Sequence, residues 1–289
     1  MSPYKIIYNP TAGDGDHSPA ALIEHFSKKG IVVEPVSTDD PDWKTTLVRS
    51  MGPILVAGGD GTIHKVAIEI LEQDLDLPVG IHPVGTANNI SKALESFGEI
   101  GGASPFDAGK ISGLKGHKYF IESLGFGVFP HFVKAIKEDG NKEDIKKDKK
   151  RIAQFLKGVI DAHKPKKTTI YLDRLKLKGK FLLVELLNIN YIGPNLYLAP
   201  TSRPGDGYFH LCLVPGHRKE ELKEFMERAL FGEGPTVGEV GDWFLCVRCK
   251  KVKFKSKDPN FHLDDGLIDY SAEKIKVRNL KGRLRFIPS

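Results

Sequence analysis

The sequence predicts an α/β N-terminal domain, a parallel Rossmann-like sheet with glycine loops, followed by a β-rich, sandwich-like or barrel-like C-terminal domain. Three observations lead there. Short apolar runs alternate with amphipathic stretches over the first hundred residues. The texture turns to successive strand-like segments from about Asp107. A chain of 289 residues with 40% hydrophobic content is also long enough to bury two cores. We place residues 1–106 in the first domain and 107–289 in the second, with the last strand free to return to the first.

Lys5–Tyr8 reads as a strand, Ala20–Lys29 as a helix, Ile31–Val36 as a strand, Trp43–Met51 as a helix and Pro53–Ala57 as a strand. Thr62–Leu71 then reads as a helix, Pro78–His82 as a strand and Asn88–Leu94 as a short helix. Strands alternating with helices imply parallel pairing, with ligands at the carboxyl ends of the strands. In the second half the strand-like segments are Tyr119–Leu124, Thr168–Leu172, Lys180–Asn188, Tyr208–Val214, Trp243–Phe254 and Lys274–Val277. Two helical stretches, Phe129–Val159 and Lys219–Phe231, interrupt them. In the first, Ile152, Phe155, Leu156 and Val159 recur at i, i+3, i+4 and i+7 as one apolar stripe.

Composition excludes several classes. No window approaches the roughly 18 consecutive apolar residues of a membrane span, and the N-terminus has no signal-peptide pattern, so the chain is read as cytoplasmic. The cysteines Cys212, Cys246 and Cys249 cannot make a disulfide framework. Cys246 and Cys249 form a CxxC within a predicted strand, where residues three apart point to opposite faces and cannot converge on one metal. Between Lys134 and Lys167 stand twelve Lys or Arg against six acids, an excess equal to the whole formal net charge of +6. Such a run is either a solvated charged face or a contact for an anionic membrane. Zinc-finger spacing and aromatic RNA-recognition signatures are absent, which argues against a nucleic-acid partner.

The residues that carry chemistry are in three glycine-bearing loops, each after a predicted strand: Asn9-Pro-Thr-Ala-Gly13, Gly58-Gly59-Asp60-Gly61-Thr62 and Pro83-Val-Gly85-Thr86-Ala-Asn88. In a parallel sheet all three gather on one rim. Gly58, Gly59 and Gly61 let successive N–H groups point at an anion, and the helix starting near Thr62 adds its positive end. The hydroxyls of Thr62 and Thr86 suit phosphate oxygens. An ionised Asp60 cannot ligate phosphate directly, so its work is a Mg²⁺ ion or a reacting hydroxyl. Neither G-x-G-x-x-G nor G-x-x-x-x-G-K-[ST] is present, so neither an ordinary dinucleotide fold nor a P-loop enzyme is indicated.

In order and approximate spacing these loops resemble the nucleotide-binding loops of the diacylglycerol kinase catalytic family, within the wider NAD kinase-like group. Phe106-Asp107-Ala-Gly109, Gly125-Phe-Gly127, Ala199-Pro200, Asp206-Gly207 and Asp265-Gly266 continue the resemblance over nearly the whole chain. It implies an ATP site on the rim of the first domain, Mg²⁺ bridging the phosphates, and an acceptor pocket in the cleft against the second domain. Gly59, Asp60, Gly61, Thr62, Gly85, Thr86 and Asn88 would serve the nucleotide, with Asn9 supporting the first loop. Asp206 matches a position that some relatives use in a metal and water network, and Asp107 is assigned to the same network.

The sequence also departs from the family pattern. Asp14 stands where relatives often carry Lys or Arg, Lys65 where they usually carry Glu, and Asn89 where Asp is common. The Glu of the family's Asp-Gly-Glu, its general base, is Leu267, so the proton-accepting role falls to Asp264, Asp265 or Asp60. The expected activity is phosphoryl transfer from ATP to a diacylglycerol-like lipid. The alternatives are a catalytically impaired nucleotide- or lipid-binding protein and a kinase for a soluble acceptor. Phe126, Phe129, Phe132 and Val133 either line a lipid pocket or belong to the core. A homodimer is left open.

Overall fold

The computed structural model describes residues 3–12, 18–97, 102–138, 148–269 and 274–288. Two compact units divide it: Met1–Ala108 with Pro204–Asp206 and Lys281–Ser289, and Gly109–Arg203 with Gly207–Leu280. The first unit is α/β with parallel strands and the second is β-rich.

In the first unit, β1 (Tyr4–Tyr8), β2 (Val33–Ser37), β3 (Ile54–Gly58) and β4 (Pro78–Pro83) order as β2–β1–β3–β4, every neighbour parallel. The end of β17 (Ile275–Ile287) adds parallel to β4, with Arg285 opposite Pro78. The strands are apolar and helices cover them: α1 (Pro19–Ser27), α2 (Trp43–Arg49), α3 (Asp60–Glu72) and α4 (Asn89–Phe97). Ser18 caps α1 by accepting from the Ala21 amide at 3.3 Å, and Pro19 occupies its first turn. Leu22 and Phe26, one turn apart, then bury against Ile6, Tyr8 and Ala57 of the sheet. Strand order reverses between β1 and β3, which is where ligands bind in open parallel sheets.

β5 (Ser104–Ser112) leads out of this unit. The second unit contains β6 (Tyr119–Phe120), β7 (Ser123–Gly127), α5 (Val128–Glu138), α6 (Lys149–Ala162), β8 (Lys167–Leu172), β9 (Leu175–Leu187), β10 (Tyr191–Ile192) and β11 (Leu196–Tyr197). Then follow β12 (Phe209–Pro215), α7 (Lys219–Leu230), β13 (Leu245–Cys249), β14 (Lys251–Ser256), β15 (Asn260–Leu263) and β16 (Gly266–Asp269). The long β9 belongs to two antiparallel sheets: its start pairs with β8, which continues to β14 and β17, while its end lies between β7 and β12. One core, with Phe120, Phe126, Phe209 and Phe254, fills the space between the sheets; a second packs α5, α6 and α7 on the other face of β9 and β12.

The structure refines several sequence expectations. Trp243–Phe254 is not one strand. The ladder breaks at Lys250, where the chain leaves its pairing with β12 and enters the sheet of β8 and β17. In the Phe129–Val159 stretch the described residues form two helices, α5 and α6, and residues 139–147, including Lys142, Lys146 and Lys147, lie outside the described residues. The stripe of Ile152, Phe155, Leu156 and Val159 packs into the helical core, as do Phe129 and Phe132, while Phe126 lies in the inter-sheet core. Neighbours of that stripe are engaged locally: Lys157 Nζ lies 2.6 Å from Glu227, and Lys149 lies over the Phe231 ring. Cys246 and Cys249 face different cores, and Cys246 Sγ lies 3.2 Å from Cys212 Sγ. No helix among the described residues is long and apolar enough to cross a membrane.

Candidate active site

The three glycine loops leave the carboxyl ends of β1, β3 and β4, adjacent strands of the first unit. The first is tied to the second by the Asn9 amide, which donates to the Ala57 carbonyl at 3.4 Å. Asn9 Oδ1 in turn accepts from Thr11 N at 3.1 Å and Thr11 Oγ1 at 2.9 Å, a side-chain turn that fixes the loop's exit. Gly13 and Asp14 lie outside the described residues.

The second and third loops are pressed together, backbone against backbone. A Cβ on Gly85 would sit 2.4 Å from the Gly59 Cα, and one on Gly58 would meet Thr62 at 2.4 Å, so neither position has room for a side chain. The Val84 amide donates to the Gly58 carbonyl at 3.2 Å. Asp60 completes the clasp: its two carboxylate oxygens accept from the Asn89 amide at 2.9 Å and the Ile90 amide at 3.0 Å, the first amides of α4. An acid at a helix N-terminus satisfies donors that have no intrahelical partner. Asn88, with φ at 52°, closes the third loop: its Oδ1 accepts from the Gly85 amide at 3.1 Å and its Nδ2 donates to the Gly85 carbonyl at 2.7 Å. Gly61 opens α3 half-buried, Thr62 is buried, Lys65 and Thr86 are exposed, and Asn89 is buried at the start of α4. The helices α3 and α4 thus begin on a narrow rim where Gly58, Gly59 and Gly85 carry no side chain, with the first amides of α4 taken up by Asp60.

The two acids assigned to a metal come from segments that touch. Gly205, with φ at 83°, lies so close to Pro105 that a Cβ would be 2.2 Å from its carbonyl oxygen; Asp206 follows Gly205 and Asp107 follows Pro105 by two residues. Asp107 is fully buried and accepts from the Gly282 amide at 2.7 Å, whereas Asp206 is half-buried. Among the described residues no group of three or more His, Cys, Asp or Glu converges to hold a metal unaided. Mg²⁺ takes one or two protein carboxylates and completes its shell with phosphate and water, a chemistry open to the half-buried Asp206, while Asp107 is enclosed.

In the second unit Asp264 is buried at a turn with φ at 51°, and its carboxylate accepts from three successive amides: Ile121 at 3.2 Å, Glu122 at 2.7 Å and Ser123 at 3.0 Å. Asp265 beside it is exposed. Leu267, half-buried on β16, is directly opposite His262 on β15. The register continues from His262 to Gly125 on β7 and to Glu185 on β9. Glu185 reaches across Gly125 to place Oε2 2.7 Å from His262 Nε2, both side chains wholly buried. A Cβ on Gly125 would lie 2.2 Å from that oxygen, so the glycine is what lets the pair form. His262 Nδ1 lies 3.1 Å from the Asp264 carbonyl and Phe129 stands edge-on to its ring. Burial pushes the Glu185 carboxyl up against the pull of His262. Burial opposes charging of His262 too, but the Glu185 carboxylate and the Asp264 carbonyl outweigh it and raise the imidazole above its ordinary range. The pair therefore holds a proton tenaciously. Sequence reasoning passed over it; the available signal was a lone acid inside the apolar run Phe181-Leu-Leu-Val-Glu185-Leu-Leu.

A model of the diacylglycerol kinase catalytic domain matches residues 3–110. A diacylglycerol kinase of Bacillus subtilis (strain 168) is 28% identical over 248 residues, covering 79% of this chain and 78% of the relative. One from Staphylococcus aureus (strain MRSA252) is 27% identical, with 79% and 76% covered. Among solved structures, a diacylglycerol kinase from Bacillus anthracis str. Sterne superposes with a TM-score of 0.70 at 18% identity, covering 99% of this chain and 97% of that one, a likeness of fold. Residues 3–110 thus match the diacylglycerol kinase catalytic domain family, and the chain is diacylglycerol kinase-like over four-fifths of its length.

Proposed function

We propose that the protein is an ATP- and Mg²⁺-dependent lipid kinase that phosphorylates a hydroxyl of diacylglycerol or a related lipid. The observation that carries the reading is the clasp of the second and third loops, which presents glycine backbone and the N-terminus of α3 where a polyphosphate would lie. Gly59, Gly61 and Gly85 leave the backbone accessible, and the exposed hydroxyl of Thr86 adds a donor. Asp60 acts through position, locking α4 to the second loop. Asp206 would hold Mg²⁺, which supplies charge neutralisation on the transferring phosphoryl group. The nature of the acceptor is supported by the names of the curated relatives.

Phosphoryl transfer depends mainly on positioning and charge stabilisation, so it survives a changed base at reduced rate. Of the three acids open to that role, Asp264 and Asp60 are engaged by backbone amides, and Asp265 is the exposed one. We assign it the acceptor's proton.

Two measurements on purified protein test the reading. Saturating ATP with Mg²⁺ should stabilise the fold by about 2.7 kcal/mol at a hundred times the dissociation constant. Radiolabelled ATP offered with lipid extracts and soluble metabolites should label a lipid, and Asp265→Asn should abolish labelling while keeping the nucleotide shift. Leu267→Glu should change the rate little, since Asp265 already takes the proton; a rise of about 10²–10⁴ would show instead that the native protein lacks a base. A nucleotide shift with no labelled product in either the native protein or Leu267→Glu would leave a nucleotide-binding protein in place of an enzyme. No shift at all would remove the reading.

A further inference from the structure

Two of the three cysteines meet across an antiparallel ladder. Cys212 on β12 stands directly opposite Cys246 on β13, 34 positions away in sequence, and their Sγ atoms are 3.2 Å apart. Directly opposite residues of an antiparallel pair have Cα atoms about 4.5 or 5.5 Å apart, and both values lie within the span a disulfide bridges. The backbone is therefore already placed for a bond of about 2.05 Å, and only the side-chain torsions have to turn. Register fixes the pairing. The ladder from Phe209 with Cys249 to Leu213 with Leu245 holds β13 to β12, and β9 holds β12 on its other side.

The two thiols are unequal. Cys212 is fully buried, with Glu185 opposite it on β9, and its Sγ lies 3.8 Å from the Leu198 carbonyl oxygen. Burial and the contact with Cys246 push its thiol well above the ordinary range. Cys246 is half-buried on β13, which among the described residues pairs with β12 alone, so one side of that strand stays open. The contact with Cys212 pulls the Cys246 thiol down against the effect of its own burial. One sulfur is thus enclosed and slow to ionise, and the other is reachable and the readier nucleophile. Cys249, three residues on, faces the inter-sheet core, where burial pushes its thiol up, and it takes no part.

We infer that Cys212 and Cys246 are a peroxide-sensitive pair that closes to an intramolecular disulfide. The Cys246 thiolate attacks one oxygen of hydrogen peroxide; the O–O bond breaks, hydroxide leaves, and Cys246 becomes a sulfenic acid. The Cys212 sulfur then attacks the Cys246 sulfur, the S–O bond breaks, and the departing hydroxide takes the Cys212 proton as water. Two thiols are oxidised and one peroxide is reduced to two waters. A dithiol reductant reverses the step by exchange, so in a reducing compartment the bond is transient. While it lasts it staples β13 to β12 and closes a loop that contains α7, which restricts the unfolded chain and stabilises the second unit. The inference goes beyond the kinase reading and stands without it.

The test is a thiol count on the folded full chain after treatment with hydrogen peroxide. Free thiols should fall from three to one, and mass spectrometry should recover Cys212 and Cys246 in one cross-linked peptide. Dithiothreitol should restore all three, and the oxidised protein should melt at the higher temperature. Cys249→Ala should still close the bond, whereas Cys246→Ala, a change at a half-buried position, should keep its remaining thiols. Cys212→Ser should stop at a Cys246 sulfenic acid, which dimedone traps. If that variant does not fold, dimedone added to the native protein early in the reaction should label Cys246. Survival of three thiols at peroxide levels that oxidise free glutathione, a bond that forms only in denaturant, a cross-link between chains, or thiol loss from Cys246→Ala at the native rate would each overturn the inference.

Discussion

The glycine rim of the first unit and the buried polar row of the second are built on opposite plans. The rim is made of backbone and absent side chains, and its ties are short in sequence: Asp60 reaches Asn89 and Ile90 across 29 and 30 positions. The row is made of side chains in a sheet, and its ties are long: Glu185 meets His262 across 77 positions, and Asp264 meets Ile121 across 143. A site of the first kind leaves a local motif because every position restricts its own residue type. A site of the second kind leaves none, because its partners find each other only through register.

The largest effect that would sharpen this contrast is expected in the row. Glu185→Ala leaves a buried imidazole without its carboxylate, a loss of about 3–5 kcal/mol in denaturant unfolding. The pH dependence carries a sign as well. His262 is raised above its ordinary 6.5, so its contribution is complete below that pH and is lost as pH rises through the folded value. Glu185, raised above 4.5, adds the same sign in the range just above. Stability of the native protein should therefore fall from mildly acidic to alkaline pH. In Glu185→Ala the slope should flatten or reverse, since burial alone disfavours the imidazolium. An unchanged slope would break the argument for a shared proton.

A smaller effect is expected on the rim. Gly85→Ala forces a Cβ toward the Gly59 Cα at 2.4 Å, and relief requires two backbones to part. About 1–3 kcal/mol of destabilisation should follow, together with loss of the nucleotide-induced shift. Gly52→Ala, where nothing lies within 4 Å, is the neutral control. Smallest is Asp60→Ala, which uncaps α4 at about 1–2 kcal/mol, read by thermal unfolding without nucleotide. If it proved neutral, the clasp would owe nothing to the carboxylate.

These cases also mark what was legible in the sequence. Alternation of strands and helices gave the parallel sheet, and Gly58, Gly59 and Gly85 announced the rim because only glycine fits such close approach. The strand break at Lys250 had a local trace that went unread: the alternation of Leu245, Val247 and Cys249 changes phase at Lys250-Lys251 and resumes at Val252 and Phe254. Asp60 was read for its chemistry, while its carboxylate accepts from amides of a helix that starts a loop later. The outward lysines of β8, β9, β14 and β17 were missed for the same reason as Glu185: Lys178, Lys253 and Lys276 are scattered along the chain and come together only in register. The compact basic run caught the eye instead.

One strand has a consequence for how the molecule comes into being. Near its start β17 is antiparallel to β14 and near its end it is parallel to β4, and between them Gly282 donates to Asp107. Arg283 anchors the same strand to Asp74, 209 positions away. During synthesis, the strand that completes the first unit's sheet therefore emerges long after the rest of that sheet. Until then β4 is an unpaired edge, open to other strands. The first unit, although first in sequence, is a late closure, with the slow search that contacts of high sequence separation impose. A nascent chain arrested after Leu280 should expose the β4 edge and bind a β-edge probe or chaperone, and release of the last residues should end that binding.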